Sequence, residues 1–292
     1  MSEKPLVSVI IPTYNRAKTI YRAIESCLCQ TYSEIEILII DDNSSDETVH
    51  IVKNFKDSRV KYLLHSNNMG PGAARNTGLR NATGEFISFL DSDDEWLKDK
   101  VSKQVEIFEA LSNQSLNIGL VFVNGYNEAE KCIFIRDISS GIVYSPRRDN
   151  FYPLNVLVPP PTAWMITRKI ADDIGLFDER MYNWDDGDYW ARIAYQYDIY
   201  FLNENLVIWH ASREHVNRMS SNLIAGKELF LKKNYDFMKK DKEYLFRFYK
   251  ALGKDALSIN KAKSRKYLLK ALSMKPYDLS ILSKLFRSFR KK

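Results

Sequence analysis

No stretch of this 292-residue chain approaches the roughly eighteen consecutive apolar residues that a membrane-crossing helix needs. Its first residues, MSEKPLVSVI, also lack a basic segment followed by an apolar one. These absences predict a cytoplasmic protein, at most peripheral on the inner face of a membrane. Cysteine is scarce, with three in the chain. Cys27 and Cys29 lie two apart on a predicted helix and point to different faces, while Cys132 stands alone, which excludes a cysteine metal cluster and a disulfide framework. Excess positive charge is missing from most of the chain as well. Of the 43 Lys and Arg, 20 fall in residues 221–292 against 6 Asp and Glu, so the first 220 residues carry 23 against 31. The overall pI of 9.0 therefore gives no support to nucleic-acid binding by the main part of the chain.

What is present is a 45% hydrophobic composition, enough for one large or two small domains with a substantial core. The first hundred residues alternate strand and helix patterns. Runs at 7–11, 35–40, 60–64 and 86–90, each apolar but for one residue (Ser8, Glu36, Lys61 and Ser88), read as strands, the last of them buried. Between them, Ile20, Ala23, Ile24, Cys27 and Leu28 mark one helix face, Val49, Val52 and Phe55 a second, and residues 73–81 a short third helix. Repeated strand-helix-strand order predicts a mostly parallel sheet with binding at the carboxyl ends of its strands. Three of those ends are polar: Pro12-Thr13-Tyr14-Asn15, Asp41-Asp42-Asn43-Ser44, and Asp91-Ser92-Asp93-Asp94. Carboxylates packed as tightly as Asp91 to Glu95 repel one another unless something positive sits among them.

Later segments add strand-like runs at 118–123 and 132–136, three prolines at 159–161 that force an extended approach to Trp164, and a helix over 185–197. Asp185 and Asp186 open that helix, where its dipole favours negative charge. In isolation they could simply cap it, and Asp41 and Asn43 could equally be turn residues.

Taken together, VSVIIPTYN, ILIIDDNSSDET, NMGPGAARNTGL, FISFLDSDD, PTAWMITRKIADDIGLFDE and WDDGDYWARIA resemble the family 2 inverting glycosyltransferases of the GT-A fold. The resemblance spans roughly residues 5–220. It implies a Rossmann-like α/β fold with a mostly parallel mixed sheet flanked by helices. It also implies a domain over 1–220 followed by a basic helical extension over 221–292. A nucleotide-diphosphate sugar, a UDP-sugar, would be the donor, and a glycan or a lipid- or protein-linked sugar the acceptor. By residue matching, Asp93 would ligate Mn2+ or Mg2+, with Asp91 contacting the ribose or supporting that ligand. Pro12, Thr13, Tyr14, Asn15, Asp42, Arg75 and Ser92 would line the nucleotide-sugar site. Asp186 would be the general base, with Asp185 and Trp184 on the acceptor side. His215 would complete the metal site, with His210 competing for that role; HVNRMS departs from the family's H-x-x-S-x-S at Arg218.

Two other classes compete. A metal-dependent nucleotidyltransferase also binds nucleotide at strand ends, but it needs a glycine-rich first loop and PTYNRAKT has no glycine. A non-catalytic nucleotide-sugar or glycan-binding module would have no use for Asp93 and Asp186 together. In the extension, Leu279, Leu282, Leu285, Phe286 and Phe289 recur at helical spacing among Lys284, Arg287, Arg290, Lys291 and Lys292. This pattern fits either internal helix packing or contact with an anionic membrane surface.

Overall fold

Branched and aromatic residues dominate the apolar runs, and such side chains fit a pleated surface buried on both faces. The computed structural model describes residues 4–112, 114, 116–128, 131–133, 135, 139–144, 159–181, 184–210 and 220–289. Strands β1 (Val7–Thr13), β2 (Ile35–Asp41), β3 (Val60–Leu64) and β4 (Phe86–Phe89) alternate with helices α1 (Ile20–Leu28), α2 (Thr48–Asn54) and α3 (Pro71–Asn81). They pair in parallel in the order β3-β2-β1-β4. The chain moves outward from β1 to β3 and then returns to the other side of β1. That reversal opens a crevice at the carboxyl ends of β1 and β4.

Beyond β4 the sheet becomes mixed, because short reversals replace helical crossovers. Strand β5 (Glu95–Trp96) leads into α4 (Lys100–Ser112), then β6 (Ile118–Asn127), β7 (Cys132–Ile133), β8 (Gly141–Tyr144) and β9 (Trp164–Thr167). Helices α5 (Arg168–Ile174) and α6 (Asp185–Ala194) precede β10 (Asp198–Trp209). β9 runs antiparallel between β4 and β6, and β10 pairs in parallel with β6. The predicted strand at 132–136 is described only as the two-residue β7, and the helix predicted over 185–197 ends at Ala194.

Two local features hold the crevice in shape. Gly78 lets α3 lie directly on β1: a Cβ there would stand 2.3 Å from Ile10 Cγ2. Under β4, buried Lys100 donates to Ser88 Oγ (3.0 Å) and Gln104 Oε1 (2.7 Å). Gln104 in turn donates to the carbonyls of Val121 and Ala163, tying α4 to the β6 and β9 region.

The extension is helical: α7 (Ser220–Met238), α8 (Lys242–Asp255), α9 (Lys261–Met274) and α10 (Leu279–Phe289). It has its own core, including Phe230, Tyr244, Phe248, Leu252, Leu268 and Ile281, which reaches the main sheet unit through Met181 and Ala191. Lys233 of α7 also pairs with the buried Asp188 of α6 at 2.9 Å. Internal packing thus uses one side of α10, burying Ile281 and Leu285. Leu279, Leu282, Phe286 and Phe289 stay exposed.

Candidate active site

The three polar strand ends and the start of α6 enclose one cleft of about 530 Å³. Pro12, Thr13 and Tyr14 line it from β1, Asp42 from β2, Arg75 from α3, and Asp91, Ser92 and Asp93 from the turn after β4. Asp185 and Asp186 line it from the start of α6, and Asn222 from α7. Asn15 is not among the lining residues. It has φ 53° and its Oδ1 accepts from Ser45 N, so it shapes the loop.

The crowding of carboxylates after β4 is relieved by arginines distant in sequence. Arg75, buried, donates to Asp91 Oδ1 (3.0 Å) and to Asp185 Oδ2 (2.7 Å), linking the two acidic groups. Burial opposes its charge, but Asp185, Asp91 and Asp186 outweigh that cost and hold the guanidinium above its ordinary range. Arg75 is therefore committed to carboxylates where the resemblance implied a nucleotide contact. Arg16 lies 3.6 Å from Asp93 Oδ2, and Arg22 lies 3.8 Å from Glu95 while donating to the Asp93 carbonyl. Asp94 faces inward, where burial, then Asp91 and Asp93, hold its carboxyl well above the usual carboxylate range. The turn itself is fixed by Thr162, whose Oγ1 accepts from Asp91 N at 2.8 Å.

Asp186 has a different environment. Its one hydrogen bond described is from Gly187 N (2.7 Å), so the carboxylate stays open to the cleft. Burial, and secondarily the neighbouring Asp185, push its pKa up to about 6, while Arg75 pulls the other way. A carboxylate tuned near neutrality suits general-base work.

Just after β2, Asp42 accepts from His65 Nδ1 (2.8 Å), Met69 N (2.8 Å) and Gly70 N (2.7 Å). Asp41 is fully buried and accepts from Ser44 N and Tyr62 Oη, the turn role that its position allowed. Thr13 Oγ1, buried at the cleft wall, has no partner among the described residues.

Trp184 is not a cleft residue. It precedes α6, and its ring meets Phe230 and Phe248 edge-on, with Lys227 Nζ 4.3 Å from the ring centre. The core of the extension draws the ring away from the acceptor position expected of it. His210 is also occupied, its Nδ1 by Glu128 and its Nε2 by Glu95 at 3.3 Å. His215 lies outside the described residues. Arg16, His65, Asn68 and Thr162 are site residues that no motif reading singled out. Arg16 directly follows the Pro12–Asn15 turn, and Asn68 and Thr162 lie within the quoted NMGPGAARNTGL and PTAWMITRKIADDIGLFDE, whereas His65 had no sequence signal.

This is the architecture of a doubly wound α/β enzyme with an acidic cleft at its topological switch point. Residues 8–175 match the family model "Glycosyl transferase family 2", and the chain belongs to that family. It is similar to the Escherichia coli UDP-Glc:alpha-D-GlcNAc-diphosphoundecaprenol beta-1,3-glucosyltransferase WfaP, 47% identical over 104 residues, or 36% of this chain and 41% of that one. Its fold is similar to that of Staphylococcus aureus TarS 1–349 in complex with UDP, with TM-score 0.63 at 19% identity, covering 97% of this chain and 89% of that one. It is also similar to the mannosyltransferase PcManGT of Pyrobaculum calidifontis in complex with GDP-Man and Mn2+, with TM-score 0.61 at 17% identity, covering 98% and 86%. Both structures have the GT-A fold, and the mixed sheet flanked by helices is shared with them. The chain spans 32–41% of the length of several curated relatives that it matches.

Proposed function

We propose that this chain moves a sugar, with inversion at the anomeric carbon, from a UDP-sugar to a hydroxyl of a lipid-linked or other glycan acceptor. The observation that carries this reading is the position of Asp186. An open carboxylate with a raised pKa, at the start of α6, shares a cleft with Thr13, Asp42 and Asp93 from the strand ends. In the reaction, the Asp186 carboxylate takes the acceptor hydroxyl proton as that oxygen bonds to the anomeric carbon. The bond to the nucleoside diphosphate breaks, and the diphosphate leaves with the electron pair.

Among the described residues no three metal-binding side chains converge. A hard cation such as Mg2+ is commonly held by one or two carboxylates, with phosphates and water supplying the other ligands. Asp93 would hold it, with Asp91 in support, and the cation would neutralise charge gathering on the diphosphate. Thr13 and Tyr14 would contact the nucleoside, and Asp42 would accept from the base. Expected on Asp93→Asn is loss of the Mn2+-dependent part of UDP affinity by calorimetry, roughly tenfold or more. Equal Mn2+ dependence in the variant would remove Asp93 from the metal site.

One observation disfavours the nucleotidyltransferase reading. The backbone N–H groups of Asn15, Arg16 and Ala17 are taken by Ser44, Thr48 and Asp46. The first loop therefore has no free amide cradle for a triphosphate.

The lipid-linked acceptor is supported by the name of the E. coli relative and by the charge of the extension. No helix among the described residues is long and apolar enough to cross a membrane. The exposed Leu279, Leu282, Phe286 and Phe289 on α10, within a segment of 20 Lys and Arg against 6 acids, instead suit an anionic membrane surface. With the full chain, replacing Phe286 and Phe289 together by Glu should cut co-sedimentation with phosphatidylglycerol-containing vesicles roughly tenfold or more. Undiminished sedimentation would leave α10 as a packing element alone.

A further inference from the structure

We infer that His65 is a positioning residue for the nucleotide subsite. It holds the Asp42 carboxylate turned so that one of its acceptor positions stays available to the base. The inference rests on the UDP-sugar reading and concerns a residue outside every motif of the chain. His65 follows β3, and its side chain is 9% exposed. Its backbone N–H donates to Asp41 O at 2.8 Å, extending the β2–β3 pairing by one residue and bringing the ring beside Asp42.

The hydrogen-bond pattern fixes the ring's tautomer. Asp42 already accepts from the N–H groups of Met69 and Gly70, so it faces His65 as an acceptor and Nδ1 carries the proton. In the neutral ring Nε2 then accepts from the hydroxyl of Thr77 on α3, at 2.9 Å. A chain of donors thus runs from Thr77 through His65 to Asp42. Oδ1 takes two of the three protein donors and Oδ2 takes one. A carboxylate offers about four acceptor positions. One remains, on the atom that also receives Gly70, and Gly70 and Asp42 both line the cleft.

This arrangement has a chemical consequence. An acceptor held in a fixed orientation selects a base that presents an N–H and rejects one that presents a lone pair, because the latter pairing leaves two acceptors facing each other. Without His65, Oδ1 loses a buried donor, and the carboxylate is held by Met69 N and Gly70 N alone, which restrains its rotation away from the base less tightly. Other charged groups near this network do not substitute for it. Arg75 is committed to Asp91 and Asp185, and Arg16 lies against Asp93.

Two amides separate the two ring nitrogens. Asn at position 65 places its N–H close to where Nδ1 sits, and Gln places its own close to where Nε2 sits. The full chain and its H65N, H65Q and T77V variants are titrated with UDP and with CDP in Mn2+, alongside thermal unfolding of each. We expect H65N to keep UDP affinity within about threefold of wild type. H65Q should weaken UDP binding roughly tenfold and lower the UDP-to-CDP ratio by the same order. T77V should fall between them. A merely structural His65 predicts equal losses for H65N and H65Q, following the fall in unfolding temperature with the UDP-to-CDP ratio unchanged. That result overturns the inference, as does unaltered UDP binding by H65Q. A wild-type protein that binds neither UDP nor any other nucleoside diphosphate overturns both this inference and the proposed function; wild-type binding with H65Q unaffected overturns this inference alone.

Discussion

Asp186→Asn is expected to leave UDP affinity unchanged and to lower turnover by roughly 10²- to 10⁴-fold, the scale of general-base loss. The substitution is nearly isosteric, and Asn can still accept from Gly187 N through its carbonyl, so the start of α6 should hold. What disappears is the ability to take a proton. The same residue should set the acid limb of the pH profile. A base works ionised, and burial with Asp185 nearby raises the Asp186 pKa to about 6. The rate should therefore be flat above that value and fall about tenfold per unit below it. Steady-state rates with a saturating donor from about pH 4.5 to about pH 8 would show this limb. Wild-type turnover in the Asn variant, or a pH profile without the limb, would move the base to another residue.

The second large effect is on stability. Arg75→Met should destabilise the protein by about 3–5 kcal/mol, the usual cost of leaving buried charge uncompensated. The reason is specific to its placement. One buried guanidinium satisfies Asp185, itself buried, and Asp91 in the turn after β4. Lys would not substitute well, since a point charge cannot make two directed contacts in these two directions. Adding Asp185→Asn to Arg75→Met should recover part of the loss, because the orphaned charge is then gone. Urea midpoints at constant slope would measure both. A further consequence follows for chemistry: Arg75 lowers the Asp186 pKa, so its loss should move the acid limb upward in pH. A midpoint unchanged within error would mean that the two acids find other partners.

Arg75 also illustrates where local pattern ends. The residue is visible in GAARNTG as a helix residue near the cleft, but its partners are 16 and 110 positions away. Trp184 is a similar case. Next to Asp185 in sequence, it was expected beside the acceptor, yet it lies just before α6 with non-helical backbone, and its ring packs on Phe230 and Phe248. The packing of α7 and α8 decided which side its ring took.

The sequence by itself determined the strand-helix alternation, since the period of its apolar residues differs between the two elements and needs no distant partner. It also determined that the polar ends of β1, β2 and β4 lie together, because parallel strands linked by helical crossovers must place their carboxyl ends on one side of the sheet. The mixed character of the later sheet, the pairing of Asp91 and Asp185 through Arg75, the inward turn of Asp94 and the His65 contact to Asp42 were decided by tertiary structure. Each joins groups far apart in the chain whose distance, burial and protonation exist only once the layers have packed.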